Sequence, residues 1–182
     1  MLKLNIANFI SCTEVEGPGK RFVIWVQGCL KRCEGCCNYE MQPLVANKIV
    51  TVNSVIEEIK FALKYKNIEG VTFLGGEPFL QAKGLSEVAK FCHKEGLSVI
   101  VFSGYTLKEI EENNHDGSKL LLENCDVLID GEFEKKQIDK KRNWVGSKNQ
   151  KFYYLTDFYK SNIEYNKNYI DGIEIRIDNN LI

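Results

Sequence analysis

The sequence predicts an α/β fold: a largely parallel sheet whose strands alternate with helices. Two observations carry this expectation. Apolar residues switch repeatedly between short β-type runs and helical spacing along the chain. In addition, four polar motifs each fall just after a predicted strand. In a parallel sheet all strand C-termini lie on one edge, so these motifs are expected to meet there.

Arg21 to Gln27 (RFVIWVQ) is rich in β-branched and aromatic residues and reads as a buried strand. A cysteine-rich loop follows it. Val52, Val55, Ile56, Ile59 and Leu63 recur at helical spacing, with Thr51, Asn53 or Ser54 as the N-cap and Gly70 as the breaker. Val71 to Leu74 is a short strand, turned by Gly75-Gly76-Glu77-Pro78. Leu85, Val88, Ala89 and Cys92 form the next helical stripe, closed by Gly96 at C′. Leu97 to Phe102 is a strand, followed by Ser103-Gly104-Tyr105-Thr106 and a helix from about Thr106. Val127 to Ile129 ends at Asp130-Gly131, and the tail offers Phe152 to Leu155 and Ile173 to Ile177 as strands.

The chain of 182 residues suggests one domain over 1–182. It is too short for a closed eight-fold βα barrel, which takes about 250 residues. A formal net charge of −1 gives no general attraction for nucleic acid or an anionic membrane. No apolar run approaches the roughly 20 residues of a membrane span, and the N-terminus lacks a signal-peptide pattern. A cytoplasmic protein is expected.

The seven cysteines are an odd number, and four stand together as Cys29, Cys33, Cys36 and Cys37. That does not suit a secreted disulfide framework. Thiolates are soft ligands for zinc, iron–sulfur or Cu(I). A structural zinc site usually takes two separated pairs, whereas C-x3-C-x2-C offers three thiols to a four-iron cluster and leaves one iron open. Adjacent cysteines point in different directions, so Cys37 is a strained fourth ligand. Spacing alone leaves iron–sulfur, zinc and redox thiols all standing.

C-x3-C-x2-C followed by GGEP resembles the radical S-adenosylmethionine superfamily. Glu16-Gly17-Pro18-Gly19-Lys20-Arg21 and Trp25-Val26-Gln27-Gly28-Cys29 look like the start of the glycyl-radical activating enzymes. Phe102 to Thr106, Asp126 to Gly131 and Gly146-Ser147-Lys148-Asn149-Gln150 are similar to the activases of anaerobic ribonucleotide reductase. Three departures stand out: Val145 where that family often has Arg, Tyr39 where Pro is usual, and Cys37 in place of an apolar residue.

The resemblance implies a partial, open βα barrel; at about 30 residues per unit the chain allows at most six. It implies a [4Fe–4S] cluster on Cys29, Cys33 and Cys36, with S-adenosylmethionine chelating the open iron. Reductive cleavage would then give a 5′-deoxyadenosyl radical that takes hydrogen from a backbone glycine of a large reductase subunit. Gly75, Gly76 and Glu77 are expected at the methionine end, and Ser103 and Asp130 at amino-acid or ribose hydroxyls. No side-chain acid or base is required. An electron donor such as flavodoxin or ferredoxin is implied as a second partner. The other readings are a radical tailoring enzyme for a peptide or small molecule, and a zinc-stabilised interaction domain.

His93 and His115 read as surface residues, Phe152-Tyr153-Tyr154 as strand packing, and Glu132 to Arg142 as a solvated loop or helix face, with a partner contact as the alternative. Cys12, Cys92 and Cys125 read as small core residues. Cys37 is open to packing or oxidation.

Overall fold

The computed structural model describes residues 1–112 and 115–169. The expected tail strand Ile173 to Ile177 lies outside them. The strands are β1 (Lys3–Thr13), β2 (Arg21–Val26), β3 (Lys48–Thr51), β4 (Gly70–Gly75), β5 (Ser98–Phe102), β6 (Val127–Asp130) and β7 (Lys151–Tyr154). The helices are α1 (Val52–Lys66), α2 (Ala82–Lys94), α3 (Leu107–Glu112) and α4 (Ser118–Glu123). They build one open sheet in the order β3-β1-β2-β4-β5-β6-β7. The central β2, β4, β5 and β6 are parallel, and β1, β3 and β7 run antiparallel to their neighbours β2, β1 and β6.

Strand β1 was not expected. Its pairing with β2 is interrupted between Ile6 and Asn8 and again between Ile10 and Thr13. Each irregularity breaks the period-two alternation that marks a strand in sequence. The edge strand β3 was also missed, being four residues long and largely exposed.

Both faces of the parallel strands are covered, which is why they read as continuous apolar runs. Phe22, Ile24, Phe73, Val99 and Val101 pack on one side against Ile59 and Ala62 of α1, Leu85 and Val88 of α2, and Leu121 of α4. Fully burying a side chain such as Ile59 or Leu85 contributes roughly 1.5–3 kcal/mol. Cys92 and Cys125 belong to this core, and Cys12 packs against it. The opposite face carries Val23, Trp25 and Leu74, then Ile100, Val127 and Ile129.

The caps agree with the local chemistry. Thr51 Oγ1 accepts from the Ser54 amide at 3.1 Å and starts α1. The end of α2 is a Schellman turn: the Gly96 amide donates to His93 O and the Leu97 amide to Cys92 O, with Gly96 at φ 75°.

Gly70 has a different role from the expected one, because α1 already ends at Lys66 with a left-handed Asn67. Arg21, on the same side of β2 as Val23 and Trp25, is fully buried. Its guanidinium donates to Thr72 Oγ1, Ser98 Oγ, Tyr159 OH and the carbonyls of Pro18, Val71 and Ser98. None of these acceptors is a carboxylate, so the direct hydrogen bonds of the desolvated cation all go to neutral dipoles. A Cβ on Gly70 would lie 2.2 Å from Ser98 Oγ and 2.5 Å from Arg21 Nη1. Gly70 is the space that the guanidinium needs.

Gly70→Ala should therefore destabilise the fold by about 3 kcal/mol or more, through overpacking and a disturbed buried cation. Gly96→Ala meets no atom within 4 Å and should cost only about 1 kcal/mol for its positive φ. Chemical denaturation of the two variants checks the difference; equal losses would contradict the account of Arg21.

Candidate active site

Strands β2, β4, β5 and β6 end on the same edge, and their following loops meet there. The cysteine loop leaves β2 through Gly28, at φ 99°. It is pinned at its base by Gly28 N–H to Met41 O (2.7 Å) and Cys29 N–H to Gln42 O (2.9 Å). Left-handed Arg32 and Gly35 coil the loop back on itself. Cys29, Cys33, Cys36 and Cys37 all border a cavity of about 320 Å³. Gly75, Gly76, Ser103 and Gly131 enter the same cavity from the other three strand ends, and Trp25, Leu74 and Phe102 give it an apolar base.

The two glycines at the end of β4 allow backbone to lie against backbone. A Cβ on Gly76 would stand 2.3 Å from Gly28 O, and one on Gly75 2.7 Å from Val26 N. The Gly76 amide donates to Val26 O and the Glu77 amide to Gly28 O, both at 2.8 Å. The loop bearing Gly75 and Gly76 is thus locked to the root of the cysteine loop.

Glu77 differs from its expected place as a ligand contact. Its side chain is fully buried and does not border the cavity. Oε1 accepts from Phe79 N–H at 3.0 Å and Ser103 Oγ at 2.9 Å, while Oε2 accepts from Gly104 N–H at 2.8 Å. The carboxylate latches the loop after β4 to the loop after β5. Burial pushes its pKa up to about 7, against the opposing pull of those donors.

Ser103 does border the cavity; its Oγ donates to Glu77 and accepts from Tyr105 N–H. Asp130 does not. Its Oδ2 accepts from Leu107 N–H at 2.6 Å and holds the start of α3. Burial raises its pKa, opposed by hydrogen bonds from Leu107, Lys151 and Tyr153.

Several residues at the site were missed in sequence. Lys31, inside the cysteine loop, binds Glu109 Oε1 at 2.8 Å and Glu132 Oε1 at 3.1 Å and lies over the Tyr105 ring. Burial alone would lower its pKa, but these two carboxylates raise it. Glu132 to Arg142 is therefore more than a solvated segment. Arg142 donates to the carbonyls of Ser147, Lys148 and Gln150 and fastens the GSKNQ turn. Gln150 Oε1 in turn accepts from the amides of Gly146 and Ser147. A guanidinium three residues before Val145 thus braces this turn, while Val145 itself is buried. His93 also has a partner, Asp126 Oδ2 at 3.0 Å. Phe152 and Tyr154 pack into the second core cluster, as strand packing predicts. The sequence clues were charges beside the cysteines, but charge alone does not say which partner each one reaches.

Residues 15–153 match a family model described as "4Fe-4S single cluster domain". An anaerobic ribonucleoside-triphosphate reductase-activating protein of Enterobacteria phage T4 is 32% identical, over 85% of this chain and 96% of its own length. The protein of that name from Vibrio cholerae is 31% identical, over 84% and 99%. The chain belongs to the radical S-adenosylmethionine activases. The pyruvate formate-lyase 1-activating enzyme of Escherichia coli is 39% identical over 50% of this chain and 38% of its own length.

The cofactors of this family are a [4Fe–4S] cluster and S-adenosylmethionine, which replaces the zinc reading. The residues present fit the cluster. Among the described residues no three His, Cys, Asp or Glu side chains gather tightly enough for one metal ion. A four-iron cube does not ask for that, because its thiolates bind separate irons across one cavity. Burial pushes the thiols of Cys29 and Cys33 up, so it is the charge of a bound iron that would hold them as thiolates.

The Glu77 latch gives a signed pH prediction. An unfolded Glu titrates near 4.5 and the folded one near 7. The folded state binds the proton more tightly, so this contribution is full below pH 4.5, falls as pH rises to 7, and is flat above. Glu77→Gln removes that dependence. The stability gap between wild type and variant should shrink by about 2–3 kcal/mol from pH 5 to pH 8 in urea unfolding. A gap that widens with pH would contradict the burial of this carboxyl.

Proposed function

We propose that this chain cleaves S-adenosylmethionine reductively and places a glycyl radical on a large partner subunit, that of an anaerobic ribonucleotide reductase. The observation that carries this reading is the shared cavity: Cys29, Cys33 and Cys36 face Gly75, Gly76 and Ser103 across one strand edge. When bound, the cluster supplies one electron to the sulfonium of S-adenosylmethionine, giving methionine and the 5′-deoxyadenosyl radical.

Cys29, Cys33 and Cys36 would hold the cluster, in the cavity that Gly75 and Gly76 also line. The carbonyls of Gly75 and Gly76 accept from the methionine ammonium. Ser103 faces the carboxylate or ribose hydroxyls. Glu77 and Asp130 act one step back, fixing the loop after β4 and the start of α3. Trp25, Leu74 and Phe102 keep water from the base of the cavity.

The partner presents a backbone glycine at the open side of the sheet, and that hydrogen transfer needs no side-chain acid or base. Electrons come from a small carrier such as flavodoxin or ferredoxin, and the chain 1–182 works as one domain in the cytoplasm. No helix among the described residues is long and apolar enough to cross a membrane. Val145 departs from the arginine that the family often carries, and Arg142 brings a guanidinium to the same turn.

Iron content, 5′-deoxyadenosine release and the electron paramagnetic resonance signal of a glycyl radical on the reductase subunit test the proposal. Cys33→Ala should lose all three. Cys37→Ala should keep its iron and its nucleoside product. Deoxyadenosine without a protein radical would leave the cleavage standing and reject the partner.

A further inference from the structure

The loop after β6 reaches across the sheet to the cysteine loop, although two strands separate β6 from β2. Glu132 makes its contact with Lys31 and Cys33. Its Oε1 binds Lys31 Nζ at 3.1 Å, and its Oε2 accepts from Cys33 Sγ at 3.8 Å. The Phe133 ring lies beside Gly35, where a Cβ would be 3.5 Å from Cε1. From behind, Asn149 Nδ2 donates to Glu132 O at 2.7 Å and Gln150 Nε2 to Gly131 O at 3.3 Å.

Lys31 is the only cation in direct contact with this carboxylate among the described ion pairs, and it also binds Glu109 at 2.8 Å. Its side chain is 13% exposed, and its stem packs beside Gly104, whose Cβ would lie 3.0 Å from Lys31 Cγ. One ammonium therefore faces two carboxylates at the rim of the thiol cavity.

We propose that Lys31 and Glu132 are positioning residues that set how readily the cluster accepts an electron. The inference rests on the reading that Cys29, Cys33 and Cys36 hold a four-iron cluster. Three thiolates make that site anionic, and reduction adds one more negative charge. Net charge and hydrogen bonds at the sulfurs govern the potential of such a cluster. Glu132, against Cys33, opposes reduction. Lys31 offsets Glu132 and Glu109 together and keeps both loops in place.

The test is an anaerobic redox titration, followed by electron paramagnetic resonance, of the reconstituted wild type, Lys31→Met, Lys31→Arg and Glu132→Gln. Wild type must first load about four irons per chain, as a four-iron cluster requires; failure there rejects the proposed function itself. Given loading, Lys31→Met should lower the reduced-to-oxidised ratio at fixed potential about tenfold, equivalent to about 59 mV for one electron. Glu132→Gln should shift the ratio the opposite way, and Lys31→Arg should match wild type. Shifts of one sign in Lys31→Met and Glu132→Gln, or no shift in either, would overturn the proposal. Should Lys31→Met take up no iron, Glu132→Gln decides alone: a raised ratio supports the proposal, and an unchanged ratio or lost iron rejects it. A purely structural role predicts changes in iron content without opposite shifts in potential.

Discussion

The ends of β2 and β4 touch backbone to backbone, with no side chain between them. Val26 pairs with Gly75 in register, and the next two amides of the β4 loop bond Val26 O and Gly28 O. This contact fixes the distance between the cysteine loop and the loop expected to hold the methionine end. Any Cβ at Gly75 or Gly76 would force the two apart. The rest of the site is built outward from it. Glu77 follows directly from the paired backbone and carries the constraint on to β5 through Ser103 and Gly104.

Two buried ionisable groups then organise the loops around the sheet. Arg21 and Glu77 are both hydrogen-bonded by neutral donors or acceptors, none of them an opposite charge. Such groups are costly to bury, and removing one partner leaves the rest unsatisfied. They therefore hold the loops in one arrangement. Gly17 and Gly70 follow the same logic: a Cβ on either would overlap the Arg21 side chain. The motif that surrounds Arg21 in sequence is thus the motif of its own packing.

Much of this was legible in the chain. Strand β2, the helices α1 and α2, the N-cap of α1 and the C-terminal Gly96 of α2 follow from apolar period and turn chemistry, because the strand is buried on both faces and each helix buries one regular stripe. The convergence of four polar motifs follows from parallel topology alone. Strand β1 escaped because its irregular pairing spoils the alternation. The role of Glu77 escaped because sequence names a carboxylate but not its neighbours; its three donors come from Phe79, Ser103 and Gly104. The segment from Glu132 to Arg142 escaped for the same reason. Its charges look solvated in a row, yet Glu132 meets Lys31 about 100 residues earlier in the chain.

The central claim is that the parallel edge prepares a cavity for a four-iron cluster on three thiolates, with one iron left toward Gly75 and Gly76. Anomalous scattering at the iron edge, from crystals of the anaerobically reconstituted chain soaked with S-adenosylmethionine, addresses it most directly. The account predicts one compact iron peak bounded by Cys29, Cys33 and Cys36, with the amino group of the cofactor against the glycine carbonyls and Glu77 still bonded to Gly104. Iron ligated by Cys37, or a cofactor ammonium bound to the Glu77 carboxylate, would contradict it.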